Sequence, residues 1–188
     1  CTVIREQMPW FPAWGIEFDK EIEDVKEFLS TFNHLRPDDK WLLLAFEVAA
    51  SENHLWTAWY SMKRNQMKEK MIANSPEAEF LRIIAGTHQV RIAFENAGIR
   101  NLDQSAWIIR LPDIKINSNI NLNCINRETY NNHELDANNL IERMNGSLIT
   151  QRPSPTLEGL KRIIYENKID QGKSLEEYFL LHLISSNV

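Results

Sequence analysis

The chain is poor in the residues on which small cross-linked or metal-held domains depend, with two cysteines, Cys1 and Cys124, and six glycines among 188 residues. Two thiols so far apart match neither a metal-site spacing nor a disulfide framework, and the histidines (34, 54, 88, 133 and 182) stand singly. Scarce cysteine goes with a reducing compartment, so a cytoplasmic location is expected. No apolar run approaches the length of a bilayer span, which speaks against a membrane role. The phosphate-binding glycine loop, G-x-G-x-x-G, H-E-x-x-H and G-x-S-x-G are all missing, and with them the common marks of nucleotide-dependent enzymes, zinc proteases and serine hydrolases. These absences weaken an enzyme reading without excluding it, and no metal or cofactor is expected. Positive charge is also short: the net charge of −5 opposes a protein that coats nucleic acid nonspecifically.

What is present is ordinary for a water-facing globular domain. Hydrophobic residues make up 43% and charged residues 25%, and a chain of this length can bury a core without a cross-link. The charge is uneven. Residues 51–100 hold seven basic groups (Lys63, Arg64, Lys68, Lys70, Arg82, Arg91, Arg100) against five acids, a balance of +2 that leaves −7 for the rest. One basic surface on an acidic protein is therefore expected.

Periodicity and punctuation supply the elements. Pro9, Pro12 and Gly15 break the opening aromatic stretch, so residues 1–18 are expected as an extended arm or edge strand. Helical spacing of Ile22, Val25, Phe28, Leu29 and Phe32 behind Asp19 predicts a first helix over 19–32. The apolar run 41–50 reads as a buried central strand, and 105–111 as a second. Ser51 starts a helix over 52–66, Ser75-Pro76 one over 76–85, and Thr87 one over 88–97 that Gly98 closes. From Ile114, the positions Ile116, Ile120, Leu122 and Cys124 alternate as on a half-exposed strand, against five asparagines in 117–126 that favour turns. Helices are also expected around 135–144, over 157–164 and, behind the capping box Ser174 and Glu177, over 174–184. Interleaved strands and helices without a linker predict one α/β or α+β domain, a mixed sheet packed with helices.

Three places invite a functional reading. Glu52 with His54, and Glu77 with Glu79, are two apart on helices and so do not face each other; capping and the helix dipole account for them. At the start of the 87–97 helix, Thr87, Gln89 and Arg91 surround backbone N–H groups that can take a phosphate, or that Thr87 can cap by itself. The last helix carries Leu175, Tyr178, Phe179, Leu180, Leu181, Leu183 and Ile184 almost all round, as either a wrapped core helix or a docking surface.

The stretches FEVAASENHLWTAWYSMKRNQM and SPEAEFLRIIAGTHQVRIAFENAGI resemble the regulatory subunit of the KEOPS complex, the PRPK-binding protein family. The likeness runs over about residues 41–111 and is carried by Glu79, Gly86, Gln89, Val90, Ala93, Phe94, Gly98 and Ile99. EEYFLLHLI is similar to that family's last helix, residues 113–170 diverge from it, and His88 stands where the family has Arg. The resemblance implies a single KEOPS-regulatory-subunit-like domain over 1–188 that is not a catalyst. It implies a chain that binds and regulates the kinase-like subunit of KEOPS and recruits tRNA near its 3′ end for threonylcarbamoyladenosine formation at position 37. Together with the local charge excess, it makes Lys63, Arg64, Lys68, Arg82, Gln89 and Arg91 the candidate tRNA contacts, and Leu175, Tyr178, Leu181, Leu183 and Ile184 the candidate kinase contacts. The alternative is a small-molecule enzyme on an α/β scaffold whose site residues come from strand ends.

Overall fold

Four large indole rings organise the core. Trp41, Trp56, Trp59 and Trp107 are fully buried in the computed structural model, which describes residues 6–116, 123–164 and 172–185. A buried indole N–H needs an acceptor, and three of these rings find one on an irregular segment: Trp56 donates to the Pro9 carbonyl at 2.9 Å, Trp59 to Pro112 at 3.2 Å and Trp107 to Phe46 at 2.7 Å. These three rings pack the core and each also ties down a connecting segment.

The described elements are β1 (Gln7–Met8), β2 (Ala13–Phe18), α1 (Val25–Leu35), β3 (Trp41–Ala45), a 3₁₀ turn (Phe46–Val48), α2 (Glu52–Met67), α3 (Pro76–Ile84), α4 (Val90–Ala97), β4 (Ser105–Arg110), β5 (Ile125–Asn126), α5 (Arg127–Arg143), β6 (Gly146–Ile149), α6 (Leu157–Ile163) and α7 (Leu175–Ser185). Together they make a single compact α+β domain. Four strands form one sheet in the order β3-β4-β2-β6, and β1 pairs with β5 apart from it. Every pairing among the described strands is antiparallel, which departs from the mixed sheet expected of interleaved strands and helices. Register places Trp14 opposite Ile108, and Ile108 opposite Leu43, so these share a face with Ile16, Phe18 and Trp41. Helices α1 and α5 cover that face: Phe28 packs edge-on against Phe18, Tyr130 lies 5.4 Å from Trp14, and His133 meets Trp41.

Several expectations need correction. Residues 13–18 are an interior strand of the sheet, not an arm or edge: the prolines precede β2, and Gly15 is where β6 comes close, since a Cβ there would lie 2.9 Å from that of Ile149. The stretch 41–50 shortens to β3 and the 3₁₀ turn, and β3 is an edge strand; its burial comes from flanking helices, and Arg36 donates to the Trp41 carbonyl at 2.7 Å. Helix α1 begins behind Asp24 rather than Asp19, because Asp24 caps Lys26 and Glu27 while Ile22 pairs its backbone with Leu102 and Asp103. Asn126, counted above among turn formers, caps Glu128 and Thr129, which makes α5 longer than 135–144. Of the alternating strand expected from Ile114, residues 114–116 are irregular and 117–122 lie outside the described residues.

The expected arm is stapled from the far end of the sequence. Arg152 donates to Glu52 at 2.6 Å, to the Ala13 carbonyl at 2.5 Å and to the Phe11 carbonyl at 2.9 Å, with its guanidinium over the Trp10 ring. Glu52 is therefore an ion-pair partner as well as a first-turn acid of α2.

Candidate nucleic-acid interface

Three consecutive helices build the candidate surface. Ser51 caps α2 by accepting from the His54 amide at 3.0 Å, and α2 delivers Lys63, Arg64 and Lys68 to its C-terminal end, where cations complement the helix dipole. Lys63 is half-buried and donates to Gln66 at 3.0 Å, while Arg64 and Lys68 are exposed. Ser75 and Pro76 start α3, whose run Ala78–Ile84 is buried throughout. The turn into α4 passes through Gly86 at φ +59°, a conformation that favours glycine, and a Cβ there would also collide with the His182 ring.

Helix α4 starts at Val90, two residues later than expected. Gln89 is its N-cap and makes no side-chain capping bond; Thr87 accepts from the Gln89 amide at 3.1 Å, which closes the turn before the helix instead of capping it. Gln89 and Arg91 are exposed, and Arg91, 87% exposed, has only Glu95 at 3.5 Å as an ionic partner among the described pairs. Such a pair holds neither side chain firmly.

Arg82 does not belong to this surface. It is 1% exposed and enclosed with Glu79, which is 0% exposed. Its Nε and Nη2 donate to the two Glu79 oxygens at 3.0 and 2.7 Å, and its Nη1 donates to the Thr87 carbonyl at 2.9 Å. Glu79 also accepts from Asn65 at 2.9 Å, from the Ile72 amide at 3.1 Å and from the Ala73 amide at 3.0 Å. Burial pushes the Glu79 carboxyl up, but the bonds from Arg82, Ala73 and Asn65 and the Arg82 charge outweigh it and hold the group below the ordinary carboxylate value. The sequence signal for this pair is two charges three residues apart inside the apolar stretch EFLRII, a pattern that a solvated helix face would not produce.

Beside α4 lies a groove of about 730 Å³ that sequence reasoning missed. It follows the outer edge of β3, between α1 on one side and α3 and α4 on the other, and Leu29, Phe32, Leu42, Leu43 and Phe94 supply apolar lining. Phe94 is 45% exposed, and Arg91 is the member of the predicted set that lines the groove, with Lys26, Arg36 and Arg100 as further cations and Glu77 and Glu95 as acids. Residues from four elements meet here, so no single window of the sequence displays it.

The candidate kinase contacts divide. Phe179 and Leu183, four apart on α7, are buried in the core, as is Tyr178, so Tyr178 and Leu183 are packing residues rather than a docking surface. Leu175 is partly buried, while Leu181 and Ile184, three apart on the opposite side, are 46% and 60% exposed. The inner side of α7 meets α2 and α3: the Phe179 ring stands edge-on to His54 at 5.3 Å, and His182 Nε2 lies 2.9 Å from the Ala85 carbonyl. Among the described residues no helix is long and apolar enough to cross a membrane, and no cluster of His, Cys, Asp and Glu could hold a metal ion. No protein-family model matches the chain, and no curated protein matches it.

Proposed function

We propose that this chain is the non-catalytic regulatory subunit of a KEOPS-type complex. In this reading it works in the cytoplasm, docks on the kinase-like subunit, and holds tRNA near its 3′ end for N6-threonylcarbamoyladenosine formation at position 37. The resemblance over residues 41–111 suggests the family, and one arrangement supports the role best: exposed Gln89 and Arg91 at a helix start without a side-chain cap, next to an apolar groove with cations around it. Single-stranded RNA presents the matching chemistry, phosphates for helix starts and arginines and flat bases for apolar and aromatic surfaces. Phe94 is exposed at the groove and offers such a ring. Lys63, Arg64 and Lys68, at the end of α2 and outside the groove lining, are the contacts proposed for the adjoining duplex, and Arg82 is left out because Glu79 neutralises it in the interior. Leu181 and Ile184 form the exposed apolar strip proposed for the kinase-like subunit.

The test is a gel shift with intact tRNA over a range of salt. Binding should weaken steeply as salt rises, and reversing Lys63, Arg64 and Arg91 together to glutamate should abolish the shift, with a logarithmic salt slope lower by about three for any residual binding. A wild-type chain that ignores tRNA, or a triple variant that binds unchanged, would refute the assignment.

A further inference from the structure

We infer that Glu79 and Arg82 are positioning residues of the RNA-binding surface, a buried ion pair that fixes the start of α4 relative to the end of α2. The inference rests on the tRNA-recruiting reading above and deepens it, since neither side chain can touch RNA itself.

The Glu79 carboxylate receives five N–H bonds that originate in three places: Asn65 in the last turns of α2, the Ile72 and Ala73 amides in the connection that follows, and the Arg82 fork one turn along α3. Arg82 spends its remaining arm on the Thr87 carbonyl, and Thr87 takes the Gln89 amide. A continuous chain of hydrogen bonds therefore runs from Asn65, next to Arg64, to Gln89, two residues before Arg91. Both segments it spans are irregular, 68–75 and 85–89; backbone bonds to the preceding helix hold residues 68–70 and 85–87, and the Glu79 and Arg82 side chains tie the chain beyond each of these caps. Glu69 and Gly86 within them sit at positive φ. A buried ion pair is poorly explained by stability alone, because apolar residues of the same volume commonly serve as well; what it adds is direction, with each bond specifying where a backbone group must lie.

The decisive variant is Arg82→Lys. Lysine keeps the charge beside Glu79, but a single ammonium cannot reproduce a two-pronged bond to the carboxylate and also reach the Thr87 carbonyl. Three quantities are measured on the full chain at a temperature where wild type and variant are both folded: the melting curve, amide exchange over residues 85–90, and affinity for tRNA by fluorescence anisotropy. With positioning intact as the cause, exchange in 85–90 rises about tenfold or more and tRNA affinity falls about tenfold. A control that also lowers the melting curve, but on the far side of the sheet, Ile141→Val on α5, keeps affinity within about twofold. Should Arg82→Lys not fold, Asn65→Ala removes the α2 tie alone and is expected to move affinity in the same direction by a smaller factor. Unchanged exchange in Arg82→Lys, or Asn65→Ala where it replaces it, would show that no clamp exists. Faster exchange with unchanged affinity would make the pair a packing feature without a positioning role, as would an equal loss of affinity in Ile141→Val. A wild-type chain that does not bind tRNA would sink the reading on which the inference rests, a result visible before any variant is made.

Discussion

Replacing His54 by leucine should flatten the acid side of the stability profile. His54 lies on α2 with no exposure, its ring against Phe179 of α7, its Nδ1 accepting from the Ala50 amide at 3.4 Å and its Nε2 without a hydrogen-bond partner among the described residues. Burial first, and the charge of His182 second, push its pKa from 6.5 down to about 3. The sign follows from linkage. Below 6.5 the unfolded chain takes up a proton at this ring and the folded chain does not, so stability is highest above 6.5 and is lost progressively until the folded value near 3 is reached. At about 1.4 kcal/mol per pH unit, going from about pH 7 to about pH 5 costs about 2 kcal/mol from this ring alone. Urea midpoints for wild type and His54→Leu, taken across that range at constant ionic strength, should diverge by this amount in favour of the variant at the acid end. The depressed His133 is common to both proteins and drops out of the difference. Parallel profiles would mean that the folded protein protonates His54 without difficulty, and the enclosed packing of α2 against α7 would then be wrong.

How much the sequence disclosed depended on whether a decision was local. Ser51, Ser75 and the reciprocal pair Ser174 and Glu177 each cap with a single side chain, and the helices begin where those residues stand. Asp19 and Asp24 are both plausible caps, and what selects Asp24 is the backbone pairing of Ile22 with residues 102 and 103, eighty positions away. Strand order was illegible for the same reason: β2 gained its interior place from β4 and from β6, and β6 is four residues long with its middle exposed, so it carries no hydrophobic signal. The basic end of α2 and the exposed Gln89 and Arg91 were visible as local charge. The burial of Arg82 and the groove along β3 were not, because the first depends on a partner's geometry and the second on surfaces from four elements. The same limit explains α7, whose nearly all-apolar sequence cannot say which of its sides meets the core.

Two further outcomes test the helical layer. Gly86→Ala must adopt φ +59° with a side chain and also displace His182, and a loss of about 2 kcal/mol or more is expected in a urea titration; a neutral variant would mean that α7 does not press on this turn. The second separates the two sides of α7. Leu183 is 1% exposed, so Leu183→Ala should cost about 2 to 5 kcal/mol through the lost contacts and the cavity left behind. Leu181 is 46% exposed, and a charge there meets water, so Leu181→Glu should stay within about 0.5 kcal/mol of wild type. If the strip formed by Leu181 and Ile184 is the contact for the kinase-like subunit, that same substitution places an unpaired carboxylate in an apolar interface and removes binding in a pull-down, although the melting curve hardly moves. Full binding by a folded Leu181→Glu would take the interface away from α7, and a variant that unfolds would place Leu181 in the core with Leu183.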